Sequence, residues 1–127
     1  LAGIDGTIAT ATGIALASSA LTRVVVGDLA AIHDAGALAL GVGERTPRLQ
    51  IIVGNDNGGT IFDKLEVAAV AGDDAMARVF RTEQRVDFEQ LAGAYGWSYT
   101  RVSTVGELER ALSGMGENPE LVEVVLS

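Results

Sequence analysis

Two short apolar runs punctuate the first half of the chain. Val24-Val25-Val26 stops at Gly27-Asp28, and Ile51-Ile52-Val53 stops at Gly54-Asn55-Asp56-Asn57-Gly58-Gly59. β-Branched runs this short, bounded by Gly, Asp and Asn, predict buried parallel strands over residues 23–27 and 49–55. Between them, residues 29–42 are rich in Ala and Leu and predict a helix over about 30–42. The result is a strand–helix–strand crossover whose strands both finish on an oxygen-bearing side chain. Pro47 lies just ahead of the second strand, where its missing N–H does no harm.

The rest of the chain continues the alternation. Residues 1–6 form a Gly-rich turn, and 7–20 are small and apolar with Thr7, Thr10 and Thr12 interspersed, which predicts a helix lying close against a sheet. Asp5 or Thr7 is its expected cap. The pattern weakens over 66–85, where Gly72-Asp73-Asp74 breaks a short Ala-rich turn; this segment is a candidate cover for a site. Residues 87–95 predict a helix capped by Asp87, with Phe88, Leu91, Ala92 and Tyr95 on one face. Trp97 and Tyr95 read as core. A strand over 98–102 and a helix over 104–112 follow, Thr104 and Glu107 having the spacing of a capping box. Glu117-Asn118-Pro119 turns the chain into a last strand over 121–126. The expected fold class is α/β: a mostly parallel sheet flanked by helices, without repeat or linker, forming one domain over 1–127.

Composition narrows the function. The chain is globular, with 48% hydrophobic and 20% charged residues among 127. A net charge of −8 argues against nucleic acid, whose phosphates demand a basic face. There is no cysteine, hence neither a disulfide framework nor a thiolate zinc site. That fits a reducing compartment, and a cytoplasmic location is expected. No apolar stretch reaches the length of a membrane span. The chain begins at Leu1 inside Gly-rich sequence, which reads as a piece of a longer polypeptide.

In open parallel sheets, ligands sit beyond the carboxyl ends of the strands. Asp28 and Asp56 are therefore placed to share one ligand, and paired carboxylates suit a cation. A hard cation such as Mg²⁺ takes a few protein oxygens and completes its shell with phosphate or water. Asp28, Asp56 and a loop carbonyl near Gly58 can supply the protein share. A diphosphate would complete it, because the cation turns repulsion between two aspartates and a diphosphate into attraction. N–H groups at the start of the helix after Asp28 would assist. The competing reading makes Asp28 a helix cap and residues 55–59 a simple strand exit. Other residues offer less. His33 and Asp34 adjoin on one helix and diverge rather than pair. Lys64, Arg78, Arg81 and Arg85 read as a solvated face.

Gly27-Asp28, followed after roughly 26 residues by Asn55-Asp56-Asn57-Gly58, resembles the thiamine diphosphate fingerprint, Gly-Asp-Gly and then Asn-Asn. Gly3-Ile4-Asp5-Gly6-Thr7, Gly27-Asp28-Leu29 and Asn55-Asp56-Asn57-Gly58-Gly59-Thr60-Ile61-Phe62 together resemble the C-terminal domain of the MenD family. Those enzymes are 2-succinyl-5-enolpyruvyl-6-hydroxy-3-cyclohexene-1-carboxylate synthases of menaquinone biosynthesis. The likeness extends through Asp87-Phe88 and Ala94-Tyr95-Gly96. Leu29 replaces the third Gly of the general fingerprint, as in that branch. Asp56 replaces the usual second Asn, keeping an oxygen ligand and adding charge that would favour tight binding or Mn²⁺.

The resemblance implies a thiamine-diphosphate-binding domain with Mg²⁺ or Mn²⁺ held by Asp28, Asp56 and the carbonyl of Gly58. Ile4 would be the wedge under the bent cofactor. Gly27, Leu29, Ala30, Asn55 and Asn57 would border the cofactor, and Ile61, Phe62 and Leu65 would line the crevice. It implies a transferase that decarboxylates 2-oxoglutarate and adds the product to isochorismate. It also implies a homodimer or homotetramer, with the activating glutamate on a neighbouring subunit and the substrate-binding arginines outside this chain. By itself the chain would bind weakly and turn nothing over. Another thiamine-diphosphate decarboxylase or carboligase, such as an acetolactate synthase relative, remains open at this stage, as does a non-catalytic orphan domain.

Overall fold

A computed structural model describes residues 3–114, 116 and 118–126. Four parallel strands form one sheet in the order β1-β2-β4-β3: β1 (Thr22–Gly27), β2 (Leu49–Asn55), β3 (Ser98–Val102) and β4 (Glu120–Val125). Val24 stands opposite Ile51, Ile51 opposite Leu121, and Leu121 opposite Tyr99, so one row of side chains crosses the whole sheet. The α/β expectation holds, and the strands fall within a residue of the ranges read from the sequence.

That row belongs to the face on which the core is built. Val26, Ile51, Val53 and Leu121 pack there against Ile8, Ala11 and Ala15 of α1 (Thr7–Ser18) and Ala31 of α2 (Asp28–His33). Phe88 and Ala92 of α4 (Phe88–Ala94) and Trp97 close the other end. Burying a large aromatic of this kind is worth about 2–3 kcal/mol. The Trp97 indole N–H donates to the Leu38 carbonyl at 2.9 Å, so its one polar atom is satisfied inside. Alanine on the buried face of α1 allows the close approach to the sheet that the composition suggested. The threonines cost little: Thr10 and Thr12 donate back to the carbonyls of Gly6 and Ile8. On the opposite sheet face Gln50 is fully buried, with its amide shared between Glu120 and the carbonyl of Ala111 on α5 (Val105–Ser113).

Three local expectations change. The crossover helix is short: α2 ends at His33, and a 3₁₀ turn over Ala35–Leu38 completes the connection. Asp34 departs from helical geometry (φ −105°, ψ 18°) because its side chain is committed elsewhere, and Gly36 does not favour continuation. The cap of α1 is neither Asp5 nor Thr7. Gly6 holds that position with φ 80° and no side-chain bond, and the carboxylate of Asp34 serves instead. Tyr95 is 38% exposed at the end of α4 rather than core. The other two caps form as expected, Asp87 accepting from Gln90 N–H and Thr104 with Glu107 making a reciprocal capping box.

The weakly patterned segment folds into short helical pieces. A 3₁₀ turn (Glu66–Ala69) precedes a single turn, α3 (Asp73–Ala75), which runs on as a π-helical stretch, Met76–Arg81. Only Met76 among these is buried. The turn proposed at Glu117-Asn118-Pro119 lies partly outside the described residues. Among the described residues, no helix is long and apolar enough to cross a membrane.

Candidate functional site

The carboxyl ends of β1 and β2 open into a cavity of about 590 Å³. Gly27, Asp28, Asp56 and Gly58 form its polar end, while Ile4, Ile61, Phe62 and Leu126 contribute apolar walls. Val25, Val26, Leu29, Ala30, Gly54, Gly59 and Thr60 complete the lining. The crossover thus brings together most of the residues singled out from the sequence. Asn55 does not line the cavity, and Leu65 is about half exposed at the end of the next 3₁₀ turn. Asn57 faces a neighbouring polar cleft of about 420 Å³.

Asp28 is the notable polar group. It is 2% exposed, and among the described residues no Lys, Arg or His nitrogen forms an ion pair with it. Its Oδ1 accepts the Leu29 N–H at 2.8 Å, and its Oδ2 accepts from Gln84 Nε2 at 3.1 Å. A carboxylate has about four acceptor directions, so both oxygens retain capacity after these bonds. The bond to Leu29 is not that of a helix cap, which reaches the N–H two or three residues on. Asp56 is half-buried; its Oδ2 accepts the Thr60 hydroxyl, leaving Oδ1 available. The Gly58 carbonyl accepts Thr60 N–H at 3.1 Å and keeps a second lone pair.

The glycines divide by purpose. Asn57 and Gly58 take positive φ, 65° and 142°. A Cβ on Gly58 would lie 2.5 Å from the Arg81 carbonyl oxygen, and one on Gly59 would lie 2.8 Å from the Phe80 carbonyl oxygen. The loop carries no side chain at Gly58 and Gly59. It is bare on one side because residues 80–82 of the same chain approach it, and Gly59 N–H donates to the Arg81 carbonyl at 2.6 Å. Phe62 and Phe80 pack with centroids 5.8 Å apart, and Arg81 pairs with Asp63 at 2.7 Å. That pairing raises the Arg81 guanidinium above its ordinary range. The candidate cover therefore behaves as a strap fastened to the loop. Gly27 differs: its φ is −76°, and a Cβ would meet no protein atom within 4 Å. Neither conformation nor packing requires glycine there, but a ligand lying against the backbone would.

The donor set suits a hard cation and a diphosphate. Among the described residues, no group of three or more His, Cys, Asp and Glu could hold a metal alone. Two carboxylates and a carbonyl leave the remaining positions to ligand oxygens, and the apolar walls suit an aromatic body. The other tempting residues stand apart. His33 is exposed, Asp34 caps α1, and Lys64, Arg78 and Arg85 are exposed, Arg78 near Asp74 at 3.7 Å. Sequence reasoning missed Gln84 and Glu123. Glu123 did carry a signal, as an isolated charge inside the apolar run 121–126, and it is 8% exposed. Gln84, in an irregular segment, carried none.

Residues 2–124 match the family described as "Thiamine pyrophosphate enzyme, C-terminal TPP binding domain". Curated relatives named "2-succinyl-5-enolpyruvyl-6-hydroxy-3-cyclohexene-1-carboxylate synthase" are similar over nearly the whole chain. That of Clavibacter michiganensis is 58% identical over 134 residues, covering 99% of this chain and 23% of the relative. That of Leifsonia xyli is 54% identical over 136 residues, with the same coverage of 99% and 23%. That of Mycobacterium avium is 43% identical over 129 residues, covering 98% and 24%. The chain therefore spans under a quarter of the length of these relatives.

Proposed function

The chain belongs to the thiamine pyrophosphate enzyme family, as its C-terminal TPP-binding domain, and from that premise we propose that it supplies the cation–diphosphate site of a 2-succinyl-5-enolpyruvyl-6-hydroxy-3-cyclohexene-1-carboxylate synthase. The observation that carries the reading is Asp28, a buried carboxylate that forms no ion pair among the described residues, at the polar end of a cavity shared with Asp56 and Gly58. A buried charge of this kind calls for a counter-charge, and a divalent cation provides it.

In this reading Asp28 and Asp56 hold Mg²⁺ or Mn²⁺ through carboxylate oxygens, and Gly58 through its carbonyl. Gly27 leaves room for the diphosphate, with Leu29 and Ala30 beside it. Ile4, Ile61 and Phe62 exclude water from the apolar body of the ligand, and Leu65 flanks them. Asn55 and Asn57 shape the loop rather than wall the cavity. When bound, thiamine diphosphate supplies the carbanion chemistry for decarboxylating 2-oxoglutarate and carboligating the product to isochorismate. This chain's residues position the group and keep the site dry. The names of the relatives support this synthase over an acetolactate-type reaction or a non-catalytic orphan domain. The resemblance also carries a cytoplasmic homodimer or homotetramer, in which a neighbouring subunit completes the site with its glutamate.

The test is calorimetric titration of thiamine diphosphate into the full-length protein, with and without Mg²⁺. Wild type binds only with the cation, and Asp28→Asn loses that binding. Undiminished Mg²⁺-dependent binding by Asp28→Asn overturns the site. Product analysis with 2-oxoglutarate and isochorismate then tests the substrates, and a lack of turnover with that pair overturns them.

A further inference from the structure

Gln84 does not line the cavity, yet it is bonded to Asp28, which does. Its Nε2 donates to Asp28 Oδ2 at 3.1 Å and to Asn55 Oδ1 at 3.2 Å, and its Oε1 accepts Val86 N–H at 2.6 Å. Both amide hydrogens are thereby used. Asn55 is held from its other side as well. Its Nδ2 donates to Glu123 Oε1 at 2.6 Å, and Glu123 Oε2 accepts the Tyr99 hydroxyl. Glu123 is 8% exposed on β4, in register with Val53 and Arg101. The chain Asp28–Gln84–Asn55–Glu123–Tyr99 thus ties the ends of β1 and β2 to β4, β3 and residues 84–86.

The two carboxylates at Asp28 and Glu123 fix the direction of every bond between them. A carboxylate only accepts, so Asn55 must give its nitrogen to Glu123 and turn its oxygen inward. That oxygen takes the Gln84 amide and also Asn57 N–H at 3.0 Å, which pins the loop immediately around Asp56. Gln84 must likewise turn its nitrogen towards Asp28 and Asn55. Reversing either amide would set two donors face to face.

We infer that Gln84 and Glu123 are positioning residues for the cation–diphosphate site, acting through Asp28 and Asn55: Gln84 orients the Asp28 carboxylate, and Glu123 sets the Asn55 amide that shapes the loop of Asp56 and Gly58. The inference rests on the function proposed above. Groups that orient ligands from the second layer typically change metal affinity 10–100-fold when removed.

The test measures Mn²⁺ binding to the full-length protein at fixed thiamine diphosphate, from the paramagnetic resonance signal of free Mn²⁺. Gln84→Met keeps the volume and removes both donors. It is expected to weaken Mn²⁺ binding about 10–100-fold and to speed amide exchange over residues 54–59 in cofactor-free protein. Glu123→Met is expected to weaken binding similarly, and Glu123→Gln, whose carbonyl still accepts from Asn55, to stay near wild type. A purely structural role would move melting temperature without this pattern. If Glu123→Met fails to fold, Gln84→Met decides, since it sits on a partly exposed segment. Wild-type Mn²⁺ affinity and unchanged exchange in folded Gln84→Met overturn the inference alone. Absence of metal-dependent cofactor binding in wild type overturns the inference together with the function on which it rests.

Discussion

The carboxylate of Asp34 accepts the backbone N–H of Ile8 at 2.6 Å, and of Ala9 at 3.1 Å. A residue from the crossover thus caps a helix 26 positions earlier in the chain. Gly6, at the N-terminal boundary of α1, offers no side chain, so the helix's first donors would otherwise lack a partner. Asp34→Ala should cost about 1.5–3 kcal/mol, the range for charge-assisted bonds in buried surroundings. Asp34→Asn, which keeps one acceptor, should cost less, and His33→Ala should change little. Urea unfolding midpoints of the three variants check the order.

Ile4 is 47% exposed and lines the cavity, a poor position for a core anchor. Ile4→Ala in the full-length protein should lower turnover severalfold while moving the melting temperature little. Steady-state kinetics and a thermal melt on the same preparation measure both. An unchanged rate with a large fall in melting temperature would make Ile4 ordinary core.

Tyr99 gives a pH dependence with a definite sign. Burial, with the bond donated to Glu123, raises its phenol pKa above the ordinary value of about 10. The folded state therefore holds the proton more tightly than the unfolded state. The stabilisation is fully present below the unfolded pKa and is lost as pH rises towards the folded one. Stability should decline above about pH 10. Tyr99→Phe should start lower, because Glu123 loses a donor, and decline less steeply. Urea midpoints across that pH interval distinguish the slopes.

The parts of the fold visible in the sequence are those set by local pattern. β1 and β2 announced themselves through β-branched runs ending in Gly-Asp and Gly-Asn-Asp, and Thr104 with Glu107 through capping-box spacing. Those same strand ends placed Asp28 and Asp56 at one cavity. What the sequence did not reveal depends on partners distant along the chain. Asp34 looked like a helix residue because nothing local shows that Ile8 needs an acceptor. The approach of Phe80 and Arg81 to Gly58 and Gly59 left no local trace because it is a tertiary event. Gln84 was invisible for the same reason, its role being defined by Asp28 on α2 and Asn55 on β2.

Gly27 and Gly58 separate the two reasons a site can contain glycine. At Gly58, φ is 142° and a Cβ would fall 2.5 Å from the Arg81 carbonyl oxygen, a backbone atom that cannot swing aside. Gly58→Ala should destabilise the protein by more than about 2 kcal/mol, since strain and overlap act together. Cofactor binding should fall with the fold. At Gly27, φ is −76° and a Cβ meets no protein atom within 4 Å. Alanine is compatible with that backbone and restricts the unfolded chain, so stability should hold or rise by up to about 1 kcal/mol. Yet Gly27 borders the cavity beside Asp28, and a methyl group there would stand where the proposed function puts the diphosphate. Gly27→Ala should therefore keep the melting temperature and lose Mg²⁺-dependent thiamine diphosphate binding. Melting curves and calorimetric titrations on both variants give the comparison. Tight metal-dependent binding by Gly27→Ala would move the diphosphate away from the end of β1.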